Sequence, residues 1–158
     1  MVILFMQYLI IFLISMVPLI ELRGAIPYAI GFKLPLLPSY IICILGNMLP
    51  VPFIFLFARK ILVWGSDKKY IGGFFNWCLK KGEKGGKKLQ EKAGRGLYGA
   101  LFLFVGIPLP GTGAWTGTLA ASLLDMDFKK STLAVMCGVV LAGIIMGLVS
   151  GGVFSFIR

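Results

Sequence analysis

Gly106-Ile-Pro-Leu-Pro-Gly-Thr-Gly113 lies in the middle of 29 residues, Gly96–Leu124, that carry no charged side chain. Two prolines and three glycines in eight residues cannot continue a helix. Proline lacks a backbone donor and clashes with the preceding turn, and closely placed glycines favour a turn. The apolar arms on either side, Leu97–Val105 and Ala114–Leu124, are each only about 15 Å long as helix. A hydrocarbon core is about 30 Å thick, so neither arm crosses it alone. The stretch is expected to be a re-entrant hairpin, entering and leaving on one side. Broken backbone at membrane depth is tolerated where protein or water covers it.

Three further stretches lack charge: Met1–Ile20, Leu34–Ala58 and Ser131–Ile157. Of the 158 residues, 58% are apolar and 14% are charged, against about 25% charged in an ordinary soluble domain. These numbers exclude a disordered chain, a secreted disulfide scaffold and a plain cytosolic enzyme. They imply a multi-pass protein of the cell membrane, surrounded by lipid. Leu34–Ala58 and Ser131–Ile157 read as full transmembrane helices. Met1–Ile20 has no basic leader or cleavage pattern and is not expected to be a signal peptide. It runs into Pro18-Leu-Ile-Glu21-Leu-Arg23-Gly24-Ala25-Ile26-Pro27, and Gly24–Phe32 is too short to return as a span. A second hairpin is expected there, with a plain extra span as the alternative.

The halves then match in order. Each has an arm, a proline break, a Gly-Ala step (Gly24-Ala25, Gly113-Ala114), a Phe-Lys pair (Phe32-Lys33, Phe128-Lys129) and a span. The expected fold is an all-α integral membrane protein of two inverted repeats, each a re-entrant helical hairpin plus one transmembrane helix. It is one membrane domain, 1–158, with repeat 1 at 1–63, a basic loop at 64–95 and repeat 2 at 96–158. The loop carries nine basic and three acidic residues of a chain with net charge +10. By the positive-inside rule it is cytoplasmic, and Ile71–Leu79 within it reads as an amphipathic helix on anionic headgroups. Topology and lipid contact account for the lysines, so no nucleic-acid partner is expected.

There is no His, which removes the usual general base and metal ligand. No acidic pair or ligand cluster remains for catalysis, so no enzyme activity, metal or cofactor is expected. Cys43, Cys78 and Cys137 read as small buried hydrophobes. Asn47, mid-span, could face the cavity, but is expected to bond a neighbouring helix.

Glu21 and Arg23 carry the sharpest functional signal, because charge inside a membrane is costly. They could pair with each other. Arg23 offers a planar fork to an anion, and Glu21 could carry a coupled proton. Gly111, Thr112 and Gly113 offer free backbone N–H groups, another anion-binding feature. Pro27, Pro108, Pro110 and Trp115 complete the candidate site for substrate or coupling ion.

Pro18–Pro27 and Gly106–Gly117 together resemble the signature segments of the Putative small multidrug export protein family, over nearly the whole chain. That resemblance implies a small prokaryotic membrane exporter. In architecture the chain is more distantly similar to the DedA/VTT membrane proteins. Their two opposed hairpins carry acidic and Arg residues at the tips and act on phospholipids or polyprenyl phosphate carriers. Glu21 and Arg23 match that pattern, whereas Pro108–Trp115 contains no Arg. The function expected first is a transporter or lipid translocase with a midplane site between the hairpins, acting on an anionic lipid phosphate. The alternatives are an exporter of cationic compounds and a non-transporting scaffold. A homodimer is plausible on size alone.

Overall fold

The computed structural model describes residues 2–18, 20–68, 70, 72, 73, 75–77, 80 and 96–156, with the side chains of 59 and 153–156 excepted. Most of the basic loop, and part of the expected amphipathic segment Ile71–Leu79, lies outside the described residues. Among the described residues, seven helices of at least ten residues are α1 (Val2–Met16), α2 (Glu21–Gly31), α3 (Leu36–Met48), α4 (Val51–Ser66), α5 (Leu97–Gly106), α6 (Ala114–Leu123) and α7 (Phe128–Phe156). No strand occurs among the described residues.

Leu36–Ala58 and Phe128–Gly152 are long and apolar enough to cross a membrane, and only 22% and 28% of their most apolar windows are buried. That exposure separates them from the core helices of a soluble fold. Large apolar side chains such as Leu37, Phe53 and Leu148 point outward, which suits lipid as solvent.

The first candidate span is not one straight helix. It bends at Leu49-Pro50, between α3 and α4, where the backbone stays near helical values (φ −58°, ψ −45° and φ −74°, ψ −18°). Pro50 and Pro52 remove two donors there, which bends the helix axis without reversing it. The other breaks are sharper. Ile107 is extended (φ −83°, ψ 119°), as expected of a residue before proline. Gly113, at φ 143°, turns the chain into α6.

α1 packs on α2 and α3, and α5 packs on α6 and α7. Between the halves, α2 lies against α7, α4 against α6, and α3 touches α7. Two crossings share one construction. A Cβ on Gly46 would collide with Ser15 Oγ and stand 2.6 Å from the Phe12 carbonyl oxygen; on Gly138 it would stand 2.7 Å from Val105 Cβ and 2.8 Å from the Phe102 carbonyl oxygen.

The ends of α2 and α6 are also built alike. The N–H groups of Phe32, Lys33 and Leu34 donate to the carbonyls of Tyr28, Ile30 and Ala29. Those of Leu124, Asp125 and Met126 donate to Ala120, Ser122 and Ala121. Lys33 (φ 57°) and Asp125 (φ 52°) both take the left-handed conformation, and the next residues, Leu34 and Met126, are each 8% exposed. This is the Schellman arrangement of a helix end.

These features correct the expected pairing of Phe32-Lys33 with Phe128-Lys129. The residue standing as Lys33 does is Asp125, and Phe128-Lys129 instead opens α7. Phe12 and Ser15 precede their counterparts by 90 residues; Lys33, Leu34 and Gly46 precede theirs by 92.

Candidate functional site

The two broken turns meet. Glu21 and Arg23, in the first turn of α2, both reach the interruption between α5 and α6. Glu21 is 3% exposed. Its carboxylate accepts hydrogen bonds from the Ala114 and Trp115 backbone N–H groups, at 3.1 and 2.9 Å. Arg23 donates from Nη1 to the Leu109 carbonyl (2.7 Å) and from Nη2 to those of Val105 (3.0 Å) and Ile107 (3.3 Å).

Electrostatics explains the division. Interrupting an apolar helix creates two bare ends. The N-terminus of α6 carries about +0.5 charge and the C-terminus of α5 about −0.5. The carboxylate sits on the first and the guanidinium on the second. Hydrogen bonds to charged groups contribute about 1.5–3 kcal/mol each. They offset the strain of Glu21, whose φ of 53° costs about 1–2 kcal/mol for a residue with a Cβ. The hydrogen bonds of both charged side chains are thus with Val105–Trp115, and Glu21 also acts on Arg23 through its charge, as the sequence suggested.

Of the three N–H groups expected to form an anion nest, that of Thr112 is engaged within its own turn. The Ala114 and Trp115 donors that follow Gly111-Thr112-Gly113 serve Glu21. The Thr112 N–H donates to the Leu109 carbonyl at 3.2 Å. The Thr112 hydroxyl lies 2.9 Å from that oxygen and 3.0 Å from the Ile107 carbonyl oxygen, so it closes its own turn. Gly113 is required by space as well as by φ, because a Cβ there would collide with Glu21 Oε2 and stand 2.7 Å from its carboxyl carbon.

Trp115 returns the contact. Its indole Nε1 donates to the Met16 carbonyl at 3.2 Å, on the last residue of α1. Pro108 is half-buried in the second turn, and Pro110 and Gly111 are exposed there. Pro27 is not brought to this meeting point. It lies inside α2 and lines a shallow groove with Tyr28, Gly31 and Phe32.

Next to the turns is a cavity of about 500 Å³ that includes Pro18, Phe53, Phe57, Ile61, Trp115 and Leu119 in its lining. Thr116 is the polar residue in its wall. Further along, Ser122 Oγ donates to the Phe55 carbonyl at 2.7 Å and ties α6 to α4.

A family model described as Putative small multi-drug export protein matches residues 21–145. The chain belongs to this family. The match begins at Glu21 and runs into α7, so the hydrogen bonds from Glu21 and Arg23 to residues 105–115 fall within it. No curated protein and no solved structure matches the chain. Family membership and two apolar helices of spanning length make it an all-helical membrane protein of an export family.

Sequence reasoning missed the bend at Leu49-Pro50, although Pro50 and Pro52 signalled it. It also missed the tie from Ser122 to Phe55, for which a serine on an apolar helix gives no direction. The expected bond from Asn47 to a neighbouring helix is corrected at one atom: buried Oδ1 has no hydrogen-bond partner.

Proposed function

We propose that the protein is an export carrier of two inverted repeats, each a re-entrant hairpin followed by a span, that moves drug-sized apolar compounds past the meeting turns. The observation that carries this reading is the apolar, aromatic cavity beside those turns. Its volume falls in the range of about 300–1,000 Å³ typical of small-molecule sites.

The repeat reading is supported by the two like crossings and the two like helix ends, related by a nearly constant shift. It is supported again by helix length. At 1.5 Å per residue α1, α2, α5 and α6 reach only about 15–23 Å. With the basic loop cytoplasmic, the first hairpin opens outward and the second inward. The cavity then borders the cytoplasmic half of the first span, where a compound dissolved in the inner leaflet can enter sideways.

An anionic lipid phosphate, favoured from sequence, would have to displace three carbonyls from Arg23 or a carboxylate from two N–H groups. An apolar compound enters the cavity without breaking either set. The charged residues act in this reading as the joint between halves, a role suited to alternating access by rocking of one repeat on the other.

The test is flux in proteoliposomes with a lipophilic neutral dye, a cationic dye and a labelled lipid phosphate side by side. Dye movement is expected, slowed about tenfold or more by Ala58→Trp, which fills the cavity. Movement of the lipid phosphate alone would replace the substrate class. Movement of none, with or without an ion gradient, would end the transport reading.

A further inference from the structure

A groove separate from the cavity of the proposed carrier lies along α4 and the end of α6. Its volume is about 580 Å³, and it shares no lining residue with that cavity. Its wall changes character along α4. Phe55 and Leu56 fall within the apolar stretch Leu36–Ala58, whereas Lys60 and Trp64 lie beyond its end. Asp125, exposed just after α6, stands in the same lining. Apolar side chains, then a cation, an anion and an indole, make the polarity gradient of a bilayer leaflet, from acyl chains to headgroups.

The two charges in the lining have opposite sign, and that selects among amphiphiles. An anionic lipid would set its phosphate near Asp125 as well as Lys60, and a cationic amphiphile would meet Lys60. A headgroup that carries both charges pairs with both side chains. Each side chain has bonding capacity to offer. Lys60 Nζ has three donors and stands 5.9 Å from the centre of the Phe57 ring, a loose cation–π contact. Asp125 keeps an interaction of its own, but a carboxylate accepts at about four sites. Lys68 Nζ lies 4.5 Å from the centre of the Trp64 ring, so it competes there with any quaternary ammonium that would stack on the indole.

We propose that this groove holds one phospholipid with an ethanolamine headgroup, its phosphate on Lys60, its primary ammonium on Asp125 and an acyl chain along Phe55 and Leu56. A primary ammonium donates hydrogen bonds to a carboxylate, which a choline headgroup does not. Trp64 suits the headgroup level, because indoles gather at the membrane interface. The lipid would bridge α4 to the turn after α6, beside the hydrogen bond from Ser122 to the Phe55 carbonyl. It would thereby brace the two helices that supply most of the lining of the export cavity. The bracing role rests on the export reading, whereas binding is measured without any substrate.

The experiment is thermal unfolding of the purified full chain in detergent, titrated with phospholipids of identical acyl chains bearing ethanolamine, choline or glycerol headgroups. The ethanolamine lipid is expected to raise the midpoint by about 4 °C or more beyond the other two. Lys60→Gln and Asp125→Asn are each expected to need about tenfold more ethanolamine lipid for the same rise, each variant being compared with its own lipid-free midpoint. Asparagine also tolerates the left-handed backbone of Asp125 (φ 52°). Lys60→Arg keeps the charge and is expected to keep the response. Equal rises with the three lipids overturn the proposal. So does a rise with the glycerol lipid alone, or an undiminished ethanolamine response in Lys60→Gln or Asp125→Asn. Failure of dye flux with an intact ethanolamine response would sink the export reading and leave the site standing.

Discussion

Glu21 is a charged, strained, buried residue, and each of these properties has the same cause. Its carboxylate takes the two backbone donors that open α6, and only a positive φ aims it there. Glutamine has the same shape but turns an N–H₂ toward one of those donors. Glu21→Gln is therefore expected to lose about 1–3 kcal/mol of stability, read as a lower unfolding midpoint. Arg23→Lys keeps the charge but not the fork that spans three carbonyls, and a comparable loss is expected. A scaffold indifferent to both residues would show neither loss. That both residues matter was legible in the sequence, because charge in an apolar run is conspicuous. Their partners were not: they are backbone atoms more than 80 residues away, and a backbone carbonyl has no letter in a sequence.

At the scale of elements, helix contact depends on positions without side chains. Gly46 lets α3 approach α1, and Gly138 lets α7 approach α5. Gly46→Val and Gly138→Val are each expected to destabilise by about 1–3 kcal/mol through overpacking. Gly151→Val, which meets nothing within 4 Å, is the control, expected within about 0.5 kcal/mol of the parent. Equal effects at all three positions would contradict the crossings described. The existence of the breaks at Pro18 and at Pro108–Gly113 was legible, since proline and glycine act locally. The likeness of the ends of α2 and α6 was not. Lys33 and Asp125 share a conformation and no chemistry, so only their backbone angles reveal it.

For the whole molecule, the proposed inverted arrangement of two hairpins makes a prediction about sidedness. Lys33 and Asp125 are exposed at the ends of α2 and α6. In a chain whose own cysteines are replaced, Lys33→Cys is expected to react with an impermeant thiol reagent from outside intact cells. Asp125→Cys is expected to react only after the inner face is opened. Labelling of both from one side would remove the inverted arrangement and leave the helices to be threaded differently.

Composition and local sequence by themselves determined that this chain lives in lipid, that its helices are interrupted and where two of the interruptions fall. Those follow from the transfer free energy of side chains and from the covalent geometry of proline and glycine, which act within a few residues. The tertiary structure alone decided what the charges face and which helix ends are built alike. Those depend on which helix ends meet across a long stretch of chain, and helix dipoles and backbone carbonyls enter them with no trace in residue identity.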